Sequence, residues 1–234
     1  MTRDEFIKAL SDLNISFTDQ TLAKLETYYN LLVEENQKYN LTAITTKESA
    51  YLKHFYDSLT ISKIIDLDTQ KICDIGSGAG FPGLVLKIFY PDLDLTLIEA
   101  NSKKCFFLNL VIQKLNLTKI KVINERAEIY SKTNREIYDI VTARAVAPLA
   151  HLLEYSIPAV KVNGYFIAMK GNVTEELENI SNYYSCLNIQ LIDQINFNLP
   201  QENSNRTLLK FQKLSPTPSK YPRKYSEIKK KNLK

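Results

Sequence analysis

The chain of 234 residues contains six glycines, and four of them, Gly76, Gly78, Gly80 and Gly83, fall within DIGSGAGFPG, residues 74–83. Glycine is needed where φ turns positive or where a ligand meets the main chain with no side chain between them. The apolar run KICDI leads into the cluster and GLVLKIF leaves it, with Pro82 suited to a first helical turn by its fixed φ and missing N–H. Strand, glycine turn and helix in that order aim backbone amides at a nucleotide-type cofactor. A tight turn with no ligand is the plainer reading.

Two glycine spellings overlap here. Gly78 to Gly83 fits the dinucleotide G-x-G-x-x-G, whereas Gly76 to Gly80 is G-x-G-x-G preceded by Asp74, the form found in S-adenosylmethionine enzymes. A pyrophosphate on the turn would set two negative charges beside Asp74. The ammonium and sulfonium of S-adenosylmethionine instead gain from a carboxylate, directly or through water. Glu99 stands 19 residues after Gly80 at the end of the next apolar run, where a carboxylate accepts the hydroxyls of a ribose in either cofactor. Ala127 and Glu128 follow the third run, where an adenine would lie, although a plain surface loop fits the spacing nearly as well.

The elements that must position these residues follow from periodicity. Leu22, Leu25, Tyr29, Leu32 and Val33 make a helical stripe after a Thr18 cap, and Leu52, Phe55, Tyr56 and Leu59 make a second. From Lys71 the pattern changes to short apolar runs, predicting strands at 71–75, 94–99, 120–124, 138–143, 164–169, 189–195 and 206–212. Helices are predicted at 82–90, 102–116, 147–160 and 174–186, and the last two strands, with no helix-length gap between them, should pair antiparallel. The expected fold is α/β: a doubly wound, Rossmann-like sheet of seven strands. Residues 1–66 are expected to form a helical cap, 67–214 the S-adenosylmethionine-binding core, and 215–234 a basic tail.

That tail carries seven basic residues and one acid, a charge of +6 in a chain whose net charge is +4. With three prolines and no apolar period it reads as a mobile arm suited to polyanions, or equally as a solubilising tail without a specific partner. An acidic start and the lack of a long apolar run are the marks of a cytoplasmic protein without membrane attachment. Cys73, Cys105 and Cys186 form no metal or disulfide pattern.

KYNLTAI (38–44), HFYDSL (54–59), DIGSGAGFPGLVL (74–86), VTARAVAPL (141–149) and GYFIAMKG (164–171), in this order and spacing, resemble the bacterial 16S rRNA guanine-N7 methyltransferases, formerly called glucose-inhibited division protein B. The resemblance covers residues 1–213. It implies a seven-stranded methyltransferase sheet and methyl transfer from S-adenosylmethionine, with no metal, to N7 of one guanine in 16S rRNA, presented as RNA, small ribosomal subunit or assembly intermediate; the residues leave the oligomeric state open, with a monomer expected. It also implies cofactor contacts at Gly76, Phe81, Ala127, Glu128 and Arg144; Asp74, Gly78 and Glu99 are added from the turn and the strand geometry.

Guanine N7 has an available lone pair, so alignment rather than a catalytic base is expected to carry the reaction. Arg144, just past the fourth strand, suits the cofactor carboxylate, a phosphate or a guanine edge, with a structural ion pair as the alternative. His54 and Asp57, three apart on a helix, either orient the acceptor base or tie the cap down. Lys170 either meets an RNA phosphate or is a surface lysine, and His151 is expected on a helix surface. An NAD-binding oxidoreductase and a non-catalytic RNA-binding protein are the competing readings.

Overall fold

The computed structural model describes residues 1–202 and 204–233. Thr2 and Thr18 start α1 (Arg3–Asp12) and α2 (Asp19–Tyr39) with capping boxes, and Asn40, left-handed at φ 50°, ends α2. A second helical run has four pieces: α3 (Lys47–Ala50), a π-helical turn (Tyr51–Tyr56), α4 (Asp57–Leu59) and a 3₁₀ turn (Thr60–Lys63). π-helical turns recur at functional sites, and this one carries His54.

Strands and helices then alternate: β1 (Lys71–Ile75), α5 (Gly83–Phe89), β2 (Asp94–Glu99), α6 (Ser102–Lys114), β3 (Ile120–Asn124), α7 (Ala127–Thr133), β4 (Tyr138–Arg144) and α8 (Leu149–Ser156). After these come β5 (Val160–Lys170), α9 (Thr174–Glu178), α10 (Ser181–Leu187), β6 (Ile189–Asn198), β7 (Asn205–Lys213) and α11 (Tyr225–Lys230). The sheet order is β3-β2-β1-β4-β5-β7-β6. Strands β1 to β5 are parallel, and β7 runs antiparallel between β5 and β6. All seven expected strands are present, and the last two pair antiparallel. Helix α7 was not among the expected helices, because seven residues are too few to display a helical period.

The two-residue alternation of a strand divides the core into two layers. On β1, Ile72 joins a layer with Leu25, Tyr28, Phe55, Leu84 and Phe107, while Cys73 and Ile75 join the opposite layer with Leu153, Phe166 and Phe211. The N-terminal helices therefore share a core with one face of the sheet, where the sequence had set residues 1–66 apart as a cap.

The C-terminal segment departs from the expected free arm. Tyr221 and Leu233 are buried in the second layer, and Ile228 is the buried residue of α11. Arg135 donates to the carbonyls of Thr217 and Tyr221. The guanidinium of Arg223 grips the fully buried Glu154 through both carboxylate oxygens, at 2.8 and 2.7 Å. The lysines hid this anchoring from a sequence reading, because the few apolar residues that dock the tail are scattered among them.

Candidate active site

The strand order reverses between β1 and β4, and in open parallel sheets the crevice at the carboxyl ends beside such a reversal is where ligands bind. A cavity of about 670 Å³ lies there, within the range of small-ligand sites. Gly76, Gly78 and Phe81 reach it from the glycine turn, Glu99 from β2, Ala127 and Glu128 from α7, and Arg144 from β4.

The turn has little tolerance for side chains. Gly76 has φ 69°, and a Cβ there would approach Val146 to 2.6 Å. Gly80 has φ 103°, and a Cβ there would come within 2.6 Å of the Tyr28 hydroxyl. Tyr28 is fully buried, donates to the Ala79 carbonyl and stacks on Phe81 at 5.6 Å, so α2 supports the turn from below. Val146 is brought over Gly76 by Ala145, a non-glycine residue in the left-handed region at φ 55°, a conformation costing roughly 1 kcal/mol.

Glu99 accepts from the Gly78 amide at 2.9 Å with one oxygen and from the Asn101 amide at 2.8 Å with the other. An ionised carboxylate has about four acceptor positions, so two remain for hydroxyl donors. Asp74, expected to meet the cofactor, is not on the cavity wall. It is fully buried beneath the turn, where one oxygen accepts from the Gly83 amide at 3.0 Å and the other has no partner. Burial pushes its carboxyl up to about 7, against the lowering effect of the Gly83 bond. Asp74 thus ties the end of β1 to the start of α5 from beneath the turn.

A second cavity, of about 410 Å³, meets the first at His54, Arg144 and Ala145. His54, Asp57, Arg144 and Lys170, drawn from two helical pieces and two strands, all line it. Asp57 accepts from Arg144 at 2.9 Å with one oxygen and from Arg206 at 2.9 Å with the other. Arg144 also donates to the Lys53 carbonyl and lies 5.2 Å from the Phe81 ring centre. His54 stacks on Phe81 at 4.1 Å, and its Nε2 is 2.9 Å from the Thr42 hydroxyl. Burial, helped by Arg144, lowers its pKa to about 3, so the imidazole is neutral at neutral pH. Lys170 donates to the Ala147 carbonyl at 3.0 Å and pairs with Glu176 at 2.9 Å.

His151, expected on a helix surface, lines the larger cavity, and burial lowers its pKa. Tyr28, Thr42, Arg206, Tyr225 and Lys229 were not picked out as site residues. Nothing in the sequence set Tyr28 apart from Tyr29 and Tyr51, which suit buried helix positions equally well, and Arg206 meets Asp57 across 149 positions, a separation with no sequence signal. Among the described residues no group of three or more His, Cys, Asp or Glu side chains is placed to hold a metal ion, and no helix is long and apolar enough to cross a membrane.

Known proteins repeat both the fold and the sequence. The crystal structure of M. jannaschii TYW2 in complex with AdoMet superposes with a TM-score of 0.58 at 14% identity, covering 74% of this chain and 80% of that one. A SAM dependent methyltransferase from Aquifex aeolicus gives 0.51 at 14% identity, over 69% and 92% of the two chains. At such identities these matches show the fold alone, and it is the methyltransferase fold read from the sequence. Ribosomal RNA small subunit methyltransferase G of Bacillus cytotoxicus is 46% identical over 228 residues, 96% of this chain and 95% of its own length. The protein of that name from Bacillus thuringiensis is 45% identical over the same shares. A family model described as rRNA small subunit methyltransferase G matches residues 21–205, and the chain belongs to that family.

Proposed function

We propose that the protein transfers a methyl group from S-adenosylmethionine to N7 of one guanine in 16S rRNA. The observation that carries this reading is the meeting of two cavities at Arg144, one lined by the glycine turn, Glu99 and Ala127 and the other by His54, Asp57 and Lys170. The residues of the larger cavity suit S-adenosylmethionine. Glu99 keeps acceptor positions for a ribose, the glycine turn leaves the main chain uncovered, and Ala127 presents little bulk beside Glu128. When bound, S-adenosylmethionine supplies a methyl carbon on a cationic sulfur, an electrophile that needs no further activation.

The remaining work is alignment, a contribution that reaches several kcal/mol when the reacting atoms are held close and in line. Neutral His54, fixed by Phe81 and Thr42, offers a flat polar edge at the junction of the cavities. Asp57 is engaged by two guanidiniums, which suits it to orient Arg144 and Arg206 rather than to take a proton. N7 of guanine needs none removed. Lys53, Lys170 and Arg206 outnumber Asp57 in the lining of the smaller cavity, although each has an acid partner in Glu202, Glu176 or Asp57, and that excess of cations favours an RNA strand. The acceptor base must leave its stack to enter, as other base-modifying enzymes require.

The reading is tested by incubating the protein with radiolabelled S-adenosylmethionine and small subunits, or 16S rRNA, from a strain lacking this enzyme. Label should appear at one guanine, with the strand scission after borohydride and aniline that marks N7 methylation. Label on another atom would overturn the N7 assignment, and binding without label would leave an RNA-binding protein.

A further inference from the structure

The C-terminal segment lies beyond residues 21–205 of the family match, yet it contributes to the larger cavity. Tyr225 and Lys229 of α11 line that cavity beside Arg126, Ala127 and Glu128. The Arg126 guanidinium lies 4.0 Å from the centre of the Tyr225 ring, and the Lys229 ammonium lies 5.4 Å from it. Arg126 in turn donates through Nε to Glu128, a carboxylate only 7% exposed. A chain of contacts therefore runs from the tail, through one ring and one guanidinium, to an acid on the cavity wall.

Each link has a physical basis. An arginine side chain that is 45% exposed has many rotamers in water, and a ring against its planar face removes most of them. The ring is itself held in place, because α11 follows the buried Arg223–Glu154 pair and seats Ile228 in the protein. With Arg126 held, Glu128 keeps a charge partner and a single orientation.

We infer that the C-terminal segment is part of the cofactor site, with Tyr225 a positioning residue that fixes Arg126 and Glu128 at the adenosyl end of S-adenosylmethionine. The inference rests on the reading of the larger cavity as the cofactor site. It moves the tail from RNA attraction, its expected task, to cofactor binding.

Calorimetric titration of the full chain with S-adenosylhomocysteine and with 5′-methylthioadenosine tests this. Tyr225→Ala should raise the Kd of both ligands about tenfold, because both carry the adenosyl group, while Tyr225→Phe, which keeps the ring, should stay within about threefold of wild type. Arg126→Ala should match Tyr225→Ala, and the double variant should be no worse than either, since the two act in series. The KM for RNA should not change. Wild-type affinity in Tyr225→Ala, a loss confined to S-adenosylhomocysteine, additive single effects, or a raised KM for RNA with unchanged cofactor affinity would each overturn the inference. A wild-type protein that binds neither ligand would overturn the cofactor-site reading itself, which separates that failure from failure of the tail's role.

Discussion

Arg144 donates to Asp57 over 2.9 Å, although 87 residues separate them, and the bond joins the carboxyl end of β4 to the N-terminal helices. Both side chains are largely buried, at 12% and 7% exposure. The pair sits where the two cavities meet, so it fixes the one guanidinium that, among the described residues, faces both. It also makes the N-terminal helices part of the site rather than an appendage.

Arg144→Ala should lower kcat/KM for methyl transfer at least 100-fold, because misplacing the acceptor by about an ångström has effects of that size. The fold should persist, since Asp57 keeps its bond to Arg206. Label incorporation with a parallel thermal melt checks both halves, and near-normal turnover would remove Arg144 from the reaction.

Asp57→Ala should damage the fold more than Arg144→Ala does. It strips the shared partner from two arginines at once, and breaking a buried ion pair from one side costs about 3–5 kcal/mol. Urea unfolding of the two variants side by side gives the comparison. Equal midpoints would mean that Asp57 holds nothing that Arg206 and Arg144 need.

Gly76→Ala combines a left-handed backbone with a collision against Val146. It should cost about 1–3 kcal/mol of stability and weaken S-adenosylmethionine binding at least tenfold. Adding Val146→Ala should recover part of the loss, because it removes the collision and leaves the φ strain. No recovery in calorimetric Kd would show that backbone strain alone accounts for the defect.

Two buried groups give stability opposite slopes with pH. His54 has a folded pKa of about 3 against 6.5 unfolded, so the unfolded chain binds more protons between these values; the contribution is full above 6.5 and is lost as pH falls toward 3. Asp74 has a folded value of about 7 against 3.8 unfolded, so the folded chain binds more protons, and stability is lost as pH rises through that window. Asp74→Asn should therefore gain on wild type as pH rises from about 4 to 7, by at most about 1.4 kcal/mol per pH unit. Urea midpoints at pH 5 and pH 8 measure the difference, and parallel curves would place the Asp74 titration elsewhere.

Glu154→Gln should release the tail. The neutral amide turns donors toward Arg223 where two carboxylate oxygens stood, in a site with no exposure. The expected cost is about 2–4 kcal/mol, with faster amide hydrogen exchange across Tyr225–Lys230 than in β1. Unaltered exchange in α11 would mean that the apolar contacts of Ile228 and Leu233 suffice to hold the segment.

Sequence alone determined the parts of this protein that depend on near neighbours. Short apolar runs placed all seven strands; the inner ones, buried on both faces, read as unbroken apolar strings wherever their partners lie, while the edge strands β3 and β6 are half-buried or exposed over most of their length. The glycine cluster placed the turn, because positive φ and close packing are local demands that few residues meet. The side chains that the sequence singled out at strand ends, Glu99 and Arg144, came to one edge because every parallel strand ends on the same side of the sheet.

Tertiary structure alone decided how those residues are used. Asp74 stands beside the turn in sequence, yet its burial under Gly83 makes it a clamp, because which face of β1 it takes depends on what packs there. Arg206 reaches Asp57 only because β7 inserts antiparallel beside β5, and Tyr225 reaches Arg126 only because a salt bridge and a few scattered apolar side chains fix the tail. Contacts of that range are set by the summed packing of the whole chain, to which no single stretch of residues holds the key.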